Sequence, residues 1–248
     1  MEINLEGLEF RLICGENQIT GGFAAKYKSD DTDEPAWARI LLSDELIRFL
    51  KDNPTDSYAL EIGNNTGYEL LVSGYGRFSA ESTLIIKDTE EISAEHISAF
   101  FLNATLQEAV RYLFAVFKIS KYKMPERDYG RRKNFRIDAS SYQDALCQLN
   151  AVYQADIPFY TQNGWIYYGV QSDQDSYYLL ADDNILDIEK NGDIWVADII
   201  PVPGIKPRQT VQLSCEEYTG SAQITACTIE GDENGIDMRI KFREINNG

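Results

Sequence analysis

Residues 104–117, ATLQEAVRYLFAVF, and residues 140–153, SSYQDALCQLNAVY, carry the same succession of apolar and polar positions and align without a gap. Gln107 matches Gln143, Ala109 matches Ala145, Leu113 matches Leu149, Ala115 matches Ala151 and Val116 matches Val152. In the first copy Leu106, Ala109, Val110, Leu113, Val116 and Phe117 form one stripe at helical spacing, and in the second Tyr142, Ala145, Leu146, Leu149, Val152 and Tyr153 do the same. Thr105 and Glu108 stand in capping-box spacing, as do Ser141 and Asp144, where aspartate is the weaker partner. The pattern predicts one amphipathic helix written twice.

Elsewhere the period is two. EINLEGLEFRLI predicts two short strands, or one kinked strand, around Gly7, and AWARILLS predicts another. Ser43 opens a short helix, DELIRFLKDN, which Asn53-Pro54 closes. Tyr58 to Ile62, the turn GNNTG and YELLVSGYGRF predict a hairpin. SAEHISAFF reads as a short helix, and NFRID (134–138) as a strand leading into the second repeat. Turn signals at Asn163-Gly164 and Asn191-Gly192 place two more hairpins. RQTVQLSCEEY, GSAQITACTIEGD and IDMRIKFREI are strands. The expected class is therefore α+β and mostly β. A first strand region (1–92) and a second (177–248) flank an inserted α/β module (93–176) with the duplicated helix.

Composition narrows the function classes. The 248-residue chain is 44% hydrophobic, which excludes global disorder, and its net charge is −17. That charge argues against tracking a nucleic-acid backbone, so no stable nucleic-acid binding is expected. MEINLEGLEF lacks the basic start and apolar run of an export signal, and no membrane segment is expected. Cys14, Cys147, Cys215 and Cys227 show no C-x-x-C pairing and read as reduced, buried thiols, although Cys215 and Cys227 flank a hairpin and could approach each other.

Candidate chemistry is sparse. His96 is the single histidine and cannot build a histidine-rich metal site, and no nucleophile elbow is visible. The acidic runs DDTDE, DTEE and CEE lack calcium-loop spacing, and GYG (74–76) lacks the rest of a dinucleotide fingerprint. The reading assigns no catalytic, cofactor or metal residues and no enzymatic activity. One segment stands out. Lys118, Lys121, Lys123, Arg127, Arg131, Arg132, Lys133 and Arg136 are opposed only by Glu126 and Asp128, and Tyr122, Tyr129 and Phe135 are interleaved. Such a segment binds nucleic acid, docks on an acidic neighbouring subunit, or lies solvated; the surrounding charge favours docking over nucleic acid.

The ordered blocks resemble the late control protein D and baseplate hub family of phage tails. WARILLSDEL, YALEIG and YELLVSGYGR are similar to its first tube-like barrel, with LLVSGYGRF as the closing strand. TLQEAVRYL and SYQDALCQL match its helix-opening phrase, S-x-x-[DE]-[AV]-L-x-x-L, and NGWIYYG the following hairpin. VPGIKPRQTVQLSCEEYTGSAQITACTIEGDENGIDMRIKF resembles its last barrel, although Arg208 follows Pro207 where the family often has glycine. The resemblance covers nearly the whole chain, which is short for the family and carries no appended cell-wall hydrolase module.

The resemblance implies two tail-tube-like antiparallel β-barrel regions. It implies a homotrimer whose six barrels mimic a six-fold ring and join the hexameric tail tube to a three-fold spike or tip. Tail tube protein, spike or tip protein and tape-measure protein are the expected partners. The expected location is the virion tail, assembled in the host cytoplasm, of a contractile tail or related injection machine. Acids lining the lumen would let DNA slide. A distal tail protein or tube initiator is the nearest alternative, a tail-associated cell-wall hydrolase the second, and a binding module using the basic segment the third.

Overall fold

Along EFRLIC the buried positions are Phe10, Leu12 and Cys14, every second residue, and this alternation makes the first strand of a sheet with one face in the core. The computed structural model describes residues 7–31, 35–88, 96–162, 164–171, 174 and 177–245. The chain divides into two compact units, Met1–Asp88 with Asp173–Gly248, and Thr89–Ser172.

The first unit begins with β1 (Glu9–Cys14), β2 (Asn17–Ile19), β3 (Phe23–Asp30), β4 (Trp37–Leu42), α1 (Asp44–Asp52), β5 (Ser57–Asn64), β6 (Gly67–Ala80) and β7 (Thr83–Lys87). Helix α1 starts where Ser43 accepts a hydrogen bond from the Leu46 amide, and it stops at Asn53, before Pro54. Residues 93–95 of the expected helix SAEHISAFF lie outside the described residues. The rest of it is a strand, β8 (Ile97–Thr105), because Ala99 and Phe101 are buried while Ser98, Phe100 and Leu102 are exposed, a period of two rather than 3.6.

The second unit continues with α2 (Leu106–Val116), β9 (Tyr122–Lys123), β10 (Arg131–Ala139), α3 (Tyr142–Tyr153), β11 (Phe159–Gln162) and β12 (Trp165–Tyr168). Strands β8 and β10 pair antiparallel, and each runs directly into its helix. Phe100 lies opposite Arg136, at the same sequence offset that relates the two helices. A register equal to the repeat offset places a local two-fold axis at that pair, so strand plus helix is the repeated unit. Helices α2 and α3 bury Leu106, Leu113, Leu146 and Leu149 in one core. Phe114 is buried in place of the expected Val116, which is 39% exposed.

The first unit resumes with β13 (Tyr178–Ala181), a 3-10 turn (Asp182–Asn184), β14 (Ile185–Asn191), β15 (Ile194–Ile199), β16 (Thr210–Ser214), β17 (Thr219–Asp232) and β18 (Gly235–Glu244). Among the described residues its strands form one 13-stranded sheet. One lobe runs β2-β1-β5-β6-β7-β4-β3, the other β13-β16-β17-β18-β15-β14, and β17 pairs with β3 to join them. In a flat sheet β2 and β3 would stand about 29 Å apart. Only three residues connect them, a reach of about 14 Å, so the lobe must curl. The same holds for β13 and β14.

The expected barrels do not close. Among the described residues no pairing joins β2 to β3 or β13 to β14. Strand β2 has three residues and β13 four, too few to zip a seam, and β17 gives half of one edge to the other lobe.

Both lobes carry the same hairpin, GNNTGY at 63–68 and GDENGI at 231–236. In each, the side chain after the first glycine accepts from the amide two residues on, Thr66 to Asn64 at 3.0 Å and Asn234 to Asp232 at 2.7 Å. In each, a Cβ on the first glycine would collide with the carbonyl oxygen of the glycine four residues later. Gly63→Ala and Gly231→Ala should therefore each destabilise the first unit by about 2 kcal/mol or more, the scale of local backbone strain. Gly67→Ala and Gly235→Ala, which meet nothing within 4 Å, should stay within about 1 kcal/mol. Urea denaturation of the four variants checks the contrast, and equal losses would show that close approach is not what glycine provides.

Candidate functional site

The basic segment runs from the end of α2 through β9 to β10, and its eight cations have separate surroundings. Arg131 donates to the Asn103 carbonyl and to Glu108 of the α2 capping box. The carboxyl of Glu108 is lowered below its ordinary value, first by its hydrogen bond from the Thr105 amide and also by Arg131. Arg132 donates to the Val152 and Tyr153 carbonyls, both at 3.1 Å, and so covers the C-terminal end of α3. Arg136 binds Ser98 at 3.0 Å and Asp138 at 2.7 Å. Asp138 also takes His96 Nε2 at 2.7 Å on its other oxygen, which places the single histidine in an exposed pair.

Arg127 lies over the Tyr129 ring and Lys123 over the Tyr167 ring. Lys118 takes the left-handed conformation that ends α2, with φ 58°. Lys118, Lys121 and Lys133 are exposed and have no ion-pair partner among the described residues. Three arginines thus serve the repeated strand-helix unit, while three lysines point to solvent.

The duplicated helices differ at their ends. Thr105 and Glu108 complete the capping box of α2. The shorter Asp144 of α3 reaches the Ser140 amide instead, at 3.2 Å. Asn150, which stands where α2 has Phe114, donates to the Ile157 carbonyl and accepts from the Tyr168 hydroxyl. One copy therefore holds the β11–β12 hairpin through polar contacts. Among the described residues no three His, Cys, Asp or Glu side chains converge to hold a metal. None of the four cysteines forms a disulfide; Cys14, Cys215 and Cys227 are buried, but Cys147 is exposed on α3, contrary to the expectation of four buried thiols.

A second constellation lies at the lobe junction. The first half of β17 pairs with β16 on one edge and the second half pairs with β3. The register shifts between Ile224 and Ala226, leaving Thr225 as the bulge, and its carbonyl accepts from the Asp31 amide at 2.7 Å. Below, burial lowers the Lys206 ammonium from its ordinary value while Glu69 and Asp88 oppose the shift.

On the solvent face Lys28, Arg239, Lys241 and Arg243 surround a depression of about 240 Å³. Sequence reasoning missed this group because it named no strand over FAAKYKSD, although Phe23, Ala25 and Tyr27 alternate there with lysines.

The caps generate a direct test. Thr105→Ala should cost about 1 kcal/mol in the second unit, and Ser141→Ala a similar amount. Thermal melts of the full chain followed at probes within residues 96–171 measure both, and an unchanged melt would show that packing alone fixes the helix starts.

No protein-family model matches the chain, and no curated protein matches it in sequence. Solved structures do match. The 43 kDa tail protein of prophage MuSo2 from Shewanella oneidensis superposes with a TM-score of 0.67 at 12% identity, over 95% of this chain and 96% of that one. The tail protein from Neisseria meningitidis MC58 gives 0.66 at 12% identity, over 96% and 97%. The Escherichia coli c3393 protein, a type VI secretion component with structural similarity to the T4 tail proteins gp27 and gp5, gives 0.62 at 9% identity, over 95% and 77%. The chain thus has the mostly-β fold of phage tail proteins, which is also the fold of a type VI secretion component built like them.

Proposed function

We propose that the chain is a structural tail hub: a homotrimeric ring that joins a hexameric tail tube to a three-fold spike or tip and keeps a channel for DNA. The observation that carries this reading is the repetition within the first unit. Two curled lobes with the same Gly-[Asn/Asp]-x-x-Gly hairpin share one sheet, so three chains present six lobes. Three-fold symmetry in the chain and six-fold symmetry in its lobes are what a tube-to-spike adapter needs. The likeness to tail proteins over nearly the full chain supports a place in the virion tail, assembled in the host cytoplasm.

The role is structural rather than enzymatic. The tube protein, the tape-measure protein and the spike are the partners. The α/β module, proposed over 93–176 between strand regions 1–92 and 177–248, offers the docking surface. Within it the basic segment meets an acidic neighbour through Lys118, Lys121 and Lys133, since Arg131, Arg132 and Arg136 are engaged internally.

Native mass spectrometry of the protein, alone and mixed with its tail-tube protein, tests the reading. The expected result is a trimer, either alone or on adding tube protein. Charge reversal at Lys118, Lys121 and Lys133 should abolish tube-dependent assembly while leaving the fold intact. A strict monomer under both conditions, with no tube binding, would overturn the hub.

A further inference from the structure

We infer that the solvent face of the lobe junction is a phosphodiester track, a cationic trough that makes weak, salt-labile contact with the backbone of duplex DNA. The floor of the trough is β17, where Ala226 and Thr228 present small side chains. One wall is β18, whose outward positions Arg239, Lys241 and Arg243 alternate with the buried Met238, Ile240 and Phe242. Alternate residues on an antiparallel strand stand about 7 Å apart, so the three cations form a straight row about 14 Å long. The other wall is β3, where Lys28 lies across Thr228 from Arg239. Wall-to-wall spacing is that of two strand intervals, about 10 Å, enough for one sugar-phosphate strand.

Acids flank part of this row, and Glu189 and Glu230 as well as Asp198 act on Arg239. Arg239 is held by Asp198 at 2.7 Å, and Lys28 lies 3.2 Å from Asp30. Asp31 also lines the depression. Lys241 and Arg243 have no ion-pair partner among the described residues, and both are exposed. In a chain of net −17, the local charge at the end of this row therefore rests on Lys241 and Arg243. Contacts of arginine, lysine and threonine with phosphate carry no sequence information, which suits a surface past which any sequence travels. The surrounding negative charge keeps the contact weak, so DNA is guided without being retained.

The inference rests on the reading of the chain as part of a DNA conduit. It is distinct from the basic segment, which belongs to the other unit.

Fluorescence anisotropy with a labelled random-sequence duplex of about 20 base pairs tests it on the full chain, titrated from about 20 mM salt upward. Binding is expected at the lowest salt, with a slope of log K on log salt near −3 for about three phosphate contacts. Lys241→Gln and Arg243→Gln should each reduce that slope by about one, and the double charge reversal Lys241→Glu/Arg243→Glu should abolish binding. Circular dichroism and native mass confirm that each variant is folded and assembled as the parent is.

Absence of binding at the lowest salt would overturn the inference. So would a slope unchanged in the double variant, loss of binding on altering Lys118, Lys121 and Lys133 instead, or equal binding of polyglutamate at the trough. A trough that fails on an intact trimer sinks this inference alone. A strict monomer that still binds duplex through Lys241 and Arg243 sinks the hub reading alone.

Discussion

The first unit depends on one edge of one strand. β17 is 14 residues long, and its backbone groups must all find partners. One edge is satisfied by β18, the neighbour across a short turn. The other is shared, with β16 taking Thr219–Gln223 and β3 taking Ala226–Gly231. The bulge at Thr225 lets a single strand serve two neighbours, because the extra residue bends the strand between two ladders. Ala25 opposite Gly231 and Asp30 opposite Ala226 are about 200 residues apart in sequence, yet loop-closure entropy grows only with the logarithm of length. An insertion between the lobes is therefore tolerated, and the second unit occupies that place in the chain.

Duplication recurs at two levels, and in each the repeated element solves a local problem. The hairpins at 63–68 and 231–236 need glycine where the returning strand passes closest, and a side-chain oxygen to close the turn. The repeated strand-helix unit needs a capped helix start and an apolar stripe. Where the copies diverge, the change answers a neighbour. Asn150 replaces a phenylalanine because it faces Tyr168 and the Ile157 carbonyl, and buried polar groups must be paired. Arg132 meets the end of α3, where carbonyls lack helical partners.

What was legible in the sequence was local. Ser43, Thr105 and Ser141 mark helix starts within a few residues of their partners, and each caps as read. The turns GNNTG and Asn191-Gly192 close hairpins because their partners are adjacent. SAEHISAFF misled because Ala and Phe satisfy both periods over so short a run, and the pairing that decides for a strand comes from β10. The junction could not be read at all. Nothing near FAAKYKSD names β17 as its partner, so Lys28 and Arg239 are neighbours only after folding. The basic segment was visible as composition, but the internal engagement of Arg131, Arg132 and Arg136 depends on the strand-helix geometry around them.

Charges near the junction pair mostly within one lobe, since only Lys26 and Glu230 face each other across β3 and β17. Lys26 meets Glu230, Lys28 meets Asp30, and Arg239 meets Asp198 in a two-point contact whose hydrogen bonds lower the aspartate below its ordinary carboxylate value. Exposed pairs of this kind contribute at most about 1 kcal/mol each, so they do not hold the lobes together. The ladder and the buried row of Tyr27, Ile229 and Met238 do that.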